Sequence, residues 1–396
     1  MTDLAARWGA SGLAWLTGRP DGPPDFSRAG ILVRAGQMVD HLRAAAGVTA
    51  DAAMLLTGRA ALLGLTRGGR ISAGAASRLL AAADGWWAIT LSRSDDVEAV
   101  PALTEADTSG EPWTVLAQWA ARQPVADAVG RARLLDIPAA ALGETVAAEP
   151  SIRRIGQPGP PRGPRGALVV DLTSMWAGPL CGHLLVQAGA TVIKVESRSR
   201  PDGTRAGPSD FFGWMNGGKL SCAVDFDRDA AFLRELIGAA DVVLEGSRPA
   251  ALARRGLSPD DVAARPGRVW LQITGYGTDP GCRDRAGFGD DTAVSGGLVG
   301  GADGDPVFCA DAIADPLAGI EAAAAVVDSM ARGGAELITF SLAAVAATYA
   351  GLPMHPVNAA DPAVPPRRPR IDAAGPPLGA DDELVRHLVA EAGRPC

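Results

Sequence analysis

Lysine is nearly absent from this 396-residue chain, and almost all of its 37 basic residues are arginine. Against 45 acidic residues they leave a formal charge of −8. That balance argues against a general nucleic-acid binder, which would show a basic surface. It leaves room for a local basic pocket around an anionic ligand. The scarcity of lysine beside abundant Ala, Gly, Arg and Pro reads as the coding bias of a GC-rich genome and carries no functional information. Metal-type spacing is also missing. The five cysteines (Cys181, Cys222, Cys282, Cys309, Cys396) form no C-x-x-C pair and the four histidines are scattered, so no metal site is expected. An odd, unpaired cysteine set fits reduced thiols in a cytoplasmic protein. No stretch holds about 18 consecutive apolar residues, so no membrane span is expected. The opening "MTDLAARWGA" lacks a basic segment followed by an apolar one and does not read as a signal peptide.

What is present is apolar mass, 47% of the residues, in a length sufficient for two domains. "GQPGPPRGPRG", residues 156–166, keeps no apolar period and reads as an extended linker. Beyond it, "ALVVDL" and "TVIKVE" are buried-strand runs flanking the helical "GPLCGHLLVQAGA", a β-α-β unit. "AAFLRELIGAA", "DVVLEG", "SPDDVAARPG" and "RVWLQITGYG" continue as helix, strand, short capped helix and strand. Residues 167–345 therefore predict a Rossmann-like, doubly wound parallel sheet. Residues 1–155 predict a smaller α+β region: mostly helical over 28–66, then helix, Asp-Gly turn and strand in "SRLLAAADGWWAITLSR", then two helices and an extended "IPAAAL". Residues 346–396 form a Pro-rich C-terminal segment with a terminal helix. A weak internal echo links "GASGLAWLTGRPDGPP" (Gly9–Pro24) to "AVSGGLVGGADGDPV" (Ala293–Val307), each followed by a helical run. The Trp-rich segments (Trp86, Trp87, Trp113, Trp119) are expected in the core, with the lining of a bulky apolar pocket as the alternative.

A β-α-β unit ending in Glu196 invites a nicotinamide site, with the acid on a ribose hydroxyl. The first turn, "TSMWAGPLCG", argues against it. It is longer than G-x-G-x-x-G and places Pro179 where a phosphate cradle needs backbone N–H groups. Neither nicotinamide nor flavin is expected.

Five stretches together resemble one family, the class III CoA-transferases, which also includes the α-methylacyl-CoA racemases. They are "VVDLTSMWAGPLCGHLLVQAGATVIKVE", "FFGWMNGGKLSCAVDF", "ADVVLEGSRPAALARRGL", "VWLQITGYG" and "AIADPLAGIEAAAAVVDSMAR", in family order over residues 167–332. Upstream, "RGGRISAGAASRLLAAADGWWAITL" and "ARQPVADAVGRARLLDIPAAALGE" resemble the family's small domain, which ordinarily follows the large one. The order here departs from the family's: the chain looks permuted, or like the tail of one copy fused to the head of another. The resemblance implies a Rossmann-like domain plus a small α+β domain, and a homodimer whose usual interlocking depends on the ordinary order.

It also implies exchange of coenzyme A between an acyl-CoA and a carboxylic acid, with no metal. An aspartate nucleophile splits that exchange into mixed-anhydride and enzyme-thioester steps. By motif the nucleophile is Asp315. Its own context, Asp followed by Pro316, predicts a helix N-cap with proline at the first helical position, a place expected to keep the carboxylate ionised. Asp311 is expected in a supporting or turn role. The CoA pocket is implied at loops after the strands: Ser174, Trp176 and Ala177; Ser197, with Arg198 and Arg200 nearby; Lys219; and Gly246, Ser247, Arg248 and Arg254. Cationic members suit phosphates. Gly246-Ser247 replaces the family's Asn-aromatic pair. In "RAGFGDDTAVSGG", Phe288 stands near the position of the racemases' histidine, and Asp290 or Asp291 matches the family's acid. The missing histidine favours transferase over racemase. A non-catalytic acyl-CoA-binding homologue is the third possibility.

Overall fold

A computed structural model describes residues 2–106, 110–246, 249–302, 304–356 and 361–392. Its strands are β1 (Ser77–Ala81), β2 (Trp86–Thr90), β3 (Ala139–Ala141), β4 (Ser151–Arg154), β5 (Leu168–Leu172), β6 (Thr191–Ser197), β7 (Leu220–Val224), β8 (Val242–Glu245), β9 (Val269–Thr274), β10 (Val299–Ala302), β11 (Asp305–Phe308) and β12 (Glu336–Ser341). The main sheet has seven strands in the order β4-β12-β9-β8-β5-β6-β7. All neighbours are parallel except the edge strand β4, which runs antiparallel to β12. The chain winds outward from β5 through β6 to β7, then returns beside β5 with β8. The reversal between β5 and β8 is the topological switch point, the usual ligand crevice of such sheets.

The apolar runs are continuous because both faces are covered. Val169, Leu244, Leu271 and Phe340 pack into one core, while Val170, Val243 and Trp270 pack into another. Alternation along a strand thus sends successive side chains to opposite, equally apolar sides. The first core is shared with helices Ala177–Gln187 and Ala314–Ala331, the second with helix Ala230–Ala239 and the terminal helix Asp382–Ala392. No helix among the described residues is long and apolar enough to cross a membrane.

The region before residue 156 divides. Helices Gly30–Ala46 and Ala52–Leu63 join the first large core through Ile31, Val39, Leu42, Leu55 and Leu56. A three-stranded antiparallel sheet, β1-β2-β3, has its own core with Trp87, Ile89, Leu116, Trp119 and Val129. Trp87 and Trp119 meet edge to face there, whereas Trp86 and Trp113 lie under Arg70 and Arg78. "SRLLA", expected as a helix, is strand β1 of a hairpin. The reason is two-sided burial: Leu80 enters the small core, and Leu79 faces a separate cluster with Val294 and Phe308. "SPDDVAARPG" is a turn closed by Asp261 on Ser258. The 156–166 segment is irregular, yet it is docked, with Gly159 and Arg162 N–H groups donating to the carbonyls of Gly333 and Met330.

The two echoing segments lie side by side. A Cβ at Gly300 would stand 2.9 Å from Thr17 Cγ2, and Arg19 pairs with Asp305. The helix after each, Gly30–Ala46 and Ala314–Ala331, packs against the other.

Candidate active site

The site is built from two helix starts that lock each other. The helix carrying Asp315 begins at Ala314, with Ile313 as its N-cap. Asp315 therefore sits inside the first turn and does not cap its own helix, as the Asp-Pro pair had suggested. Pro316 is tolerated because first-turn N–H groups have no intrahelical partner. The chain enters this helix through a tight turn, with Ala310 and Ala312 both left-handed (φ 56 and 41) around Asp311. Asp315 Oδ2 instead accepts from Gly289 N at 3.1 Å, the first residue of helix Gly289–Ser295. In return, Asp290 Oδ1 accepts from Ala312 N at 3.0 Å. Only glycine fits at 289, since a Cβ there would stand 2.4 Å from both Asp315 Oδ2 and the Ala312 carbonyl oxygen.

One turn on, Gly319 lets this helix close on helix Ala177–Gln187; a Cβ at 319 would lie 2.7 Å from the Ala177 carbonyl oxygen. That contact brings the start of the Asp315 helix next to the first loop of the sheet. The remaining link is Arg59, from helix Ala52–Leu63. Its Nη1 donates to Asp311 Oδ1 at 2.6 Å. Its guanidinium lies 5.5 Å from the Trp176 ring centre and 5.7 Å from that of Phe211.

Asp290, Asp311 and Asp315 thus all act on one guanidinium, and Asp291 adds like charge to Asp315. Burial pushes Asp290 up to about 6; Asp311 adds to the rise, while Arg59 and the hydroxyls of Ser72 and Ser77 oppose it. Asp291 is also pushed up to about 6, chiefly by burial, although Tyr276, Phe288 N–H and Thr90 all donate to it. Asp315 reaches about 7: burial raises it most, Arg59 pulls it back, Asp290 and Asp291 raise it further, and Gly289 N–H opposes them. The expectation of a carboxylate held ionised by its own helix is therefore corrected. Desolvation and like charge outweigh the one helix-terminal donor.

The small sheet closes over this cluster within the same chain. Ser77 Oγ donates to Asp290 Oδ2 and Thr90 Oγ1 to Asp291 Oδ1, both at 3.1 Å. Tyr276 Oη donates to the other oxygen of Asp291.

The residues expected to hold CoA are dispersed around the switch point. Ser174 is exposed after β5, and Gly246, exposed after β8, lies beside Thr173. Trp176 and Ala177 are buried, the indole turned inward onto Arg59. Ser197 ends β6 with its hydroxyl 3.1 Å from that of Ser199, and Arg198 pairs with Asp382. Arg200 and Arg254 are exposed. Ser247 and Arg248 lie outside the described residues.

Lys219 departs from expectation. It is buried, donating at 2.8 Å to Asp171 and at 2.9 Å to the Pro179 carbonyl. A phosphate could reach it only by breaking that pair. Glu196, considered for a ribose, is buried as well and bound by Arg205 at 2.6 Å. No group of three or more His, Cys, Asp or Glu side chains among the described residues is arranged to hold a metal ion.

Sequence reasoning missed Arg59, Phe211 and Gly289, and it undervalued Asp311. One signal for Arg59 was available: it is the only charged residue in the apolar run "AAMLLTGRAALL". Neither Gly289 nor Phe211 carries such a mark.

A family model described as CoA-transferase family III matches residues 165–380. Among curated proteins, the chain is 33% identical over 177 residues to succinyl-CoA–D-citramalate CoA-transferase of Chloroflexus aurantiacus, covering 41% of this chain and 44% of that protein. It is 32% identical over 202 residues to succinate–glutarate CoA-transferase of Agrobacterium fabrum, covering 45% and 50%. It is 34% identical over 174 residues to succinyl-CoA:glutarate CoA-transferase of Mus musculus, covering 41% and 40%. The chain thus spans half or less of the length of these relatives.

Proposed function

Because this chain belongs to CoA-transferase family III, we propose that it moves coenzyme A from an acyl-CoA to a carboxylic acid, with Asp315 as the acyl-accepting nucleophile. One observation carries the reading. Asp315 is only partly buried, in the first turn of the helix that packs on Ala177–Gln187, and has a backbone N–H and a guanidinium beside it. In the first step Asp315 attacks the thioester carbon, giving a mixed anhydride and CoA thiolate. The thiolate then attacks the aspartyl carbonyl, giving an enzyme thioester and the free acid. The acceptor acid reverses both steps. Gly289 N–H, which now donates to the Asp315 carboxylate, is placed to donate to the oxyanion formed at the same carbon. Short dicarboxylic acids, after which the three relatives are named, are the first acceptors to try. A homodimer is part of the proposal, and light scattering on the purified protein tests it.

Incubation with succinyl-CoA and hydroxylamine, followed by peptide mass mapping, tests the nucleophile. A hydroxamate at Asp315 is expected. Its absence in a protein that still binds succinyl-CoA would leave a binding homologue.

A second reading draws on the same carboxyl. A group titrating near 7 suits abstraction of an α-proton, as an acyl-CoA epimerase requires. Among the described residues no histidine side chain bonds to Asp315; His41 pairs with Asp328, His183 with Gln187 and His387 with Glu391. A chiral 2-methylacyl-CoA incubated in D2O separates the two. Deuterium at the α-carbon without any acceptor acid would overturn the transferase reading.

A further inference from the structure

We propose that Arg59 receives the carboxylate of the acceptor acid and holds it against the acyl carbon carried by Asp315. The inference rests on the transferase reading and names the residue that selects its second substrate.

The acceptor must bring a negative charge into a site that already holds Asp290, Asp291, Asp311 and Asp315. Like charges that close oppose its entry. Arg59 is the cation whose field pulls Asp315 back toward its ionised form. Only its Nη1 is engaged, by Asp311, so Nε and Nη2 have no partner among the described residues. A guanidinium with one arm anchored and the rest of its fork open is suited to a carboxylate. The Trp176 and Phe211 rings flank it, at 5.5 and 5.7 Å from the guanidinium carbon. On another side stands Gly74, where even a Cβ would come no closer than 3.7 Å to Nη2.

A second observation points to a ligand here. Asp311 Oδ2 and Trp176 Nε1 are buried with no hydrogen-bond partner among the described residues, and both side chains border Arg59. Buried polar atoms without partners are rare in folded proteins. An acceptor carboxyl lying against Arg59 would offer an oxygen to the indole N–H. In its protonated form, it would offer a proton to Asp311.

The step balances without any other reagent. The acceptor carboxylate oxygen forms a bond to the aspartyl carbonyl carbon, and the C–S bond to CoA breaks. The thiolate then attacks the acceptor's carbonyl, the anhydride C–O bond breaks, and Asp315 is returned as carboxylate.

Two variants test the role. Arg59→Lys keeps a cation opposite Asp311 but removes the fork. The pair Arg59→Gln with Asp311→Asn removes both charges together, leaving neither buried alone. In steady-state assays with succinyl-CoA and glutarate, each is expected to raise the KM for glutarate by roughly 10- to 100-fold, the size of losing hydrogen bonds to a charged group. The KM for succinyl-CoA should change by less than about threefold. An unchanged glutarate KM in folded Arg59→Lys protein overturns the proposal, as does an equal rise in both constants. Mass spectrometry of the wild type keeps the two claims apart. If succinyl-CoA alone leaves no CoA adduct on Asp315, the transferase reading fails. If the adduct forms and the variants' glutarate KM is normal, only the role of Arg59 fails.

Discussion

Two clusters of buried charge lie close together in this molecule and are built on opposite rules. Beneath the first loop of the sheet, Lys219 meets Asp171 and Lys194 meets Asp202, each pair 2.8 Å apart with all four side chains out of contact with solvent. Charges balance one to one. Burial alone would push the Asp171 carboxyl up, but Lys219 and Lys194 outweigh it and hold it below its usual range. Hydrogen bonds complete the shell: Thr173 N donates to Asp171 at 3.0 Å, and Lys194 Nζ to the Thr173 carbonyl at 3.0 Å. Around Arg59, three aspartates (Asp290, Asp311 and Asp315) share one guanidinium, with Asp291 adding to their repulsion, and Asp290, Asp291 and Asp315 are pushed up to between about 6 and 7. The first cluster is satisfied and inert. The second is left short of cations, and three of the seven left-handed non-glycine residues among the described residues (Ala75, Ala310 and Ala312) lie in the loops around it. Excess charge of one sign, kept beside strained backbone, is the pattern expected of a functional site, and it is where the proposed chemistry is assigned.

Substitution should separate the two clusters, and the largest expected effect is on activity. Asp315→Asn is expected to lower CoA transfer by roughly 10^4-fold, as loss of a nucleophile does. Its melting temperature should hold or rise, because a repelled carboxyl is gone. The mirror case is Asp171→Asn, which strands the Lys219 ammonium in the core. A loss of about 3–5 kcal/mol in urea unfolding is expected. If instead Asp315→Asn unfolds the protein while Asp171→Asn is neutral, the assignment of roles is reversed.

A steric change is expected to cost less. In Gly289→Ala the new methyl must displace Asp315 or the Ala312 carbonyl, 2.4 Å away in each case. The cost in stability should be ~1–3 kcal/mol, as for other overpacked sites. Activity measured on the folded fraction should drop further, since the carboxylate itself moves. Equal kcat values in variant and parent would show that Asp315 does not need this support.

The smallest effect is the most specific. A nucleophilic Asp315 must be ionised, so kcat/KM should rise with pH through an apparent value near 7, the level to which burial and its neighbours push it. Asp290→Asn removes a like charge and should move that limb to lower pH. Stability has the opposite sign. Between about pH 4 and pH 7 the native carboxyl keeps a proton that the unfolded chain has lost, so stability falls as pH rises across that window. Melting temperatures across pH 4.5–7.5 should show this slope, flattened in Asp315→Asn. A flat wild-type profile would mean that Asp315 carries no such shift.

Much of the fold was legible along the chain because its signals are local. "ALVVDL", "TVIKVE", "DVVLEG" and "RVWLQITGYG" are continuous apolar runs, and each is a strand buried on both faces. The hairpin at 77–90 was not legible, since "SRLLA" suits either helix or strand. Two cores lying on either side of it made the choice. Asp315 was legible through its motif, but its electrostatics were not. The Asp-Pro pair suggests a cap, and only the packing of a second helix start shows which N–H the carboxylate accepts. Lys219 misled for a related reason. A lysine in sequence looks like a surface cation, and nothing in "NGGKLS" reports that Asp171, 48 residues earlier, lies 2.8 Å from it.

The sequence by itself determined the doubly wound sheet, the family and the aspartate to suspect, because apolar period and motif order are properties of neighbours along the chain. Only the tertiary structure decided the state of that aspartate. Arg59, Asp290, Asp311 and Asp315 come from segments up to 256 residues apart (59 to 315). Their influence on one another falls with distance through space and depends on how much water is excluded between them. Folding alone sets both quantities.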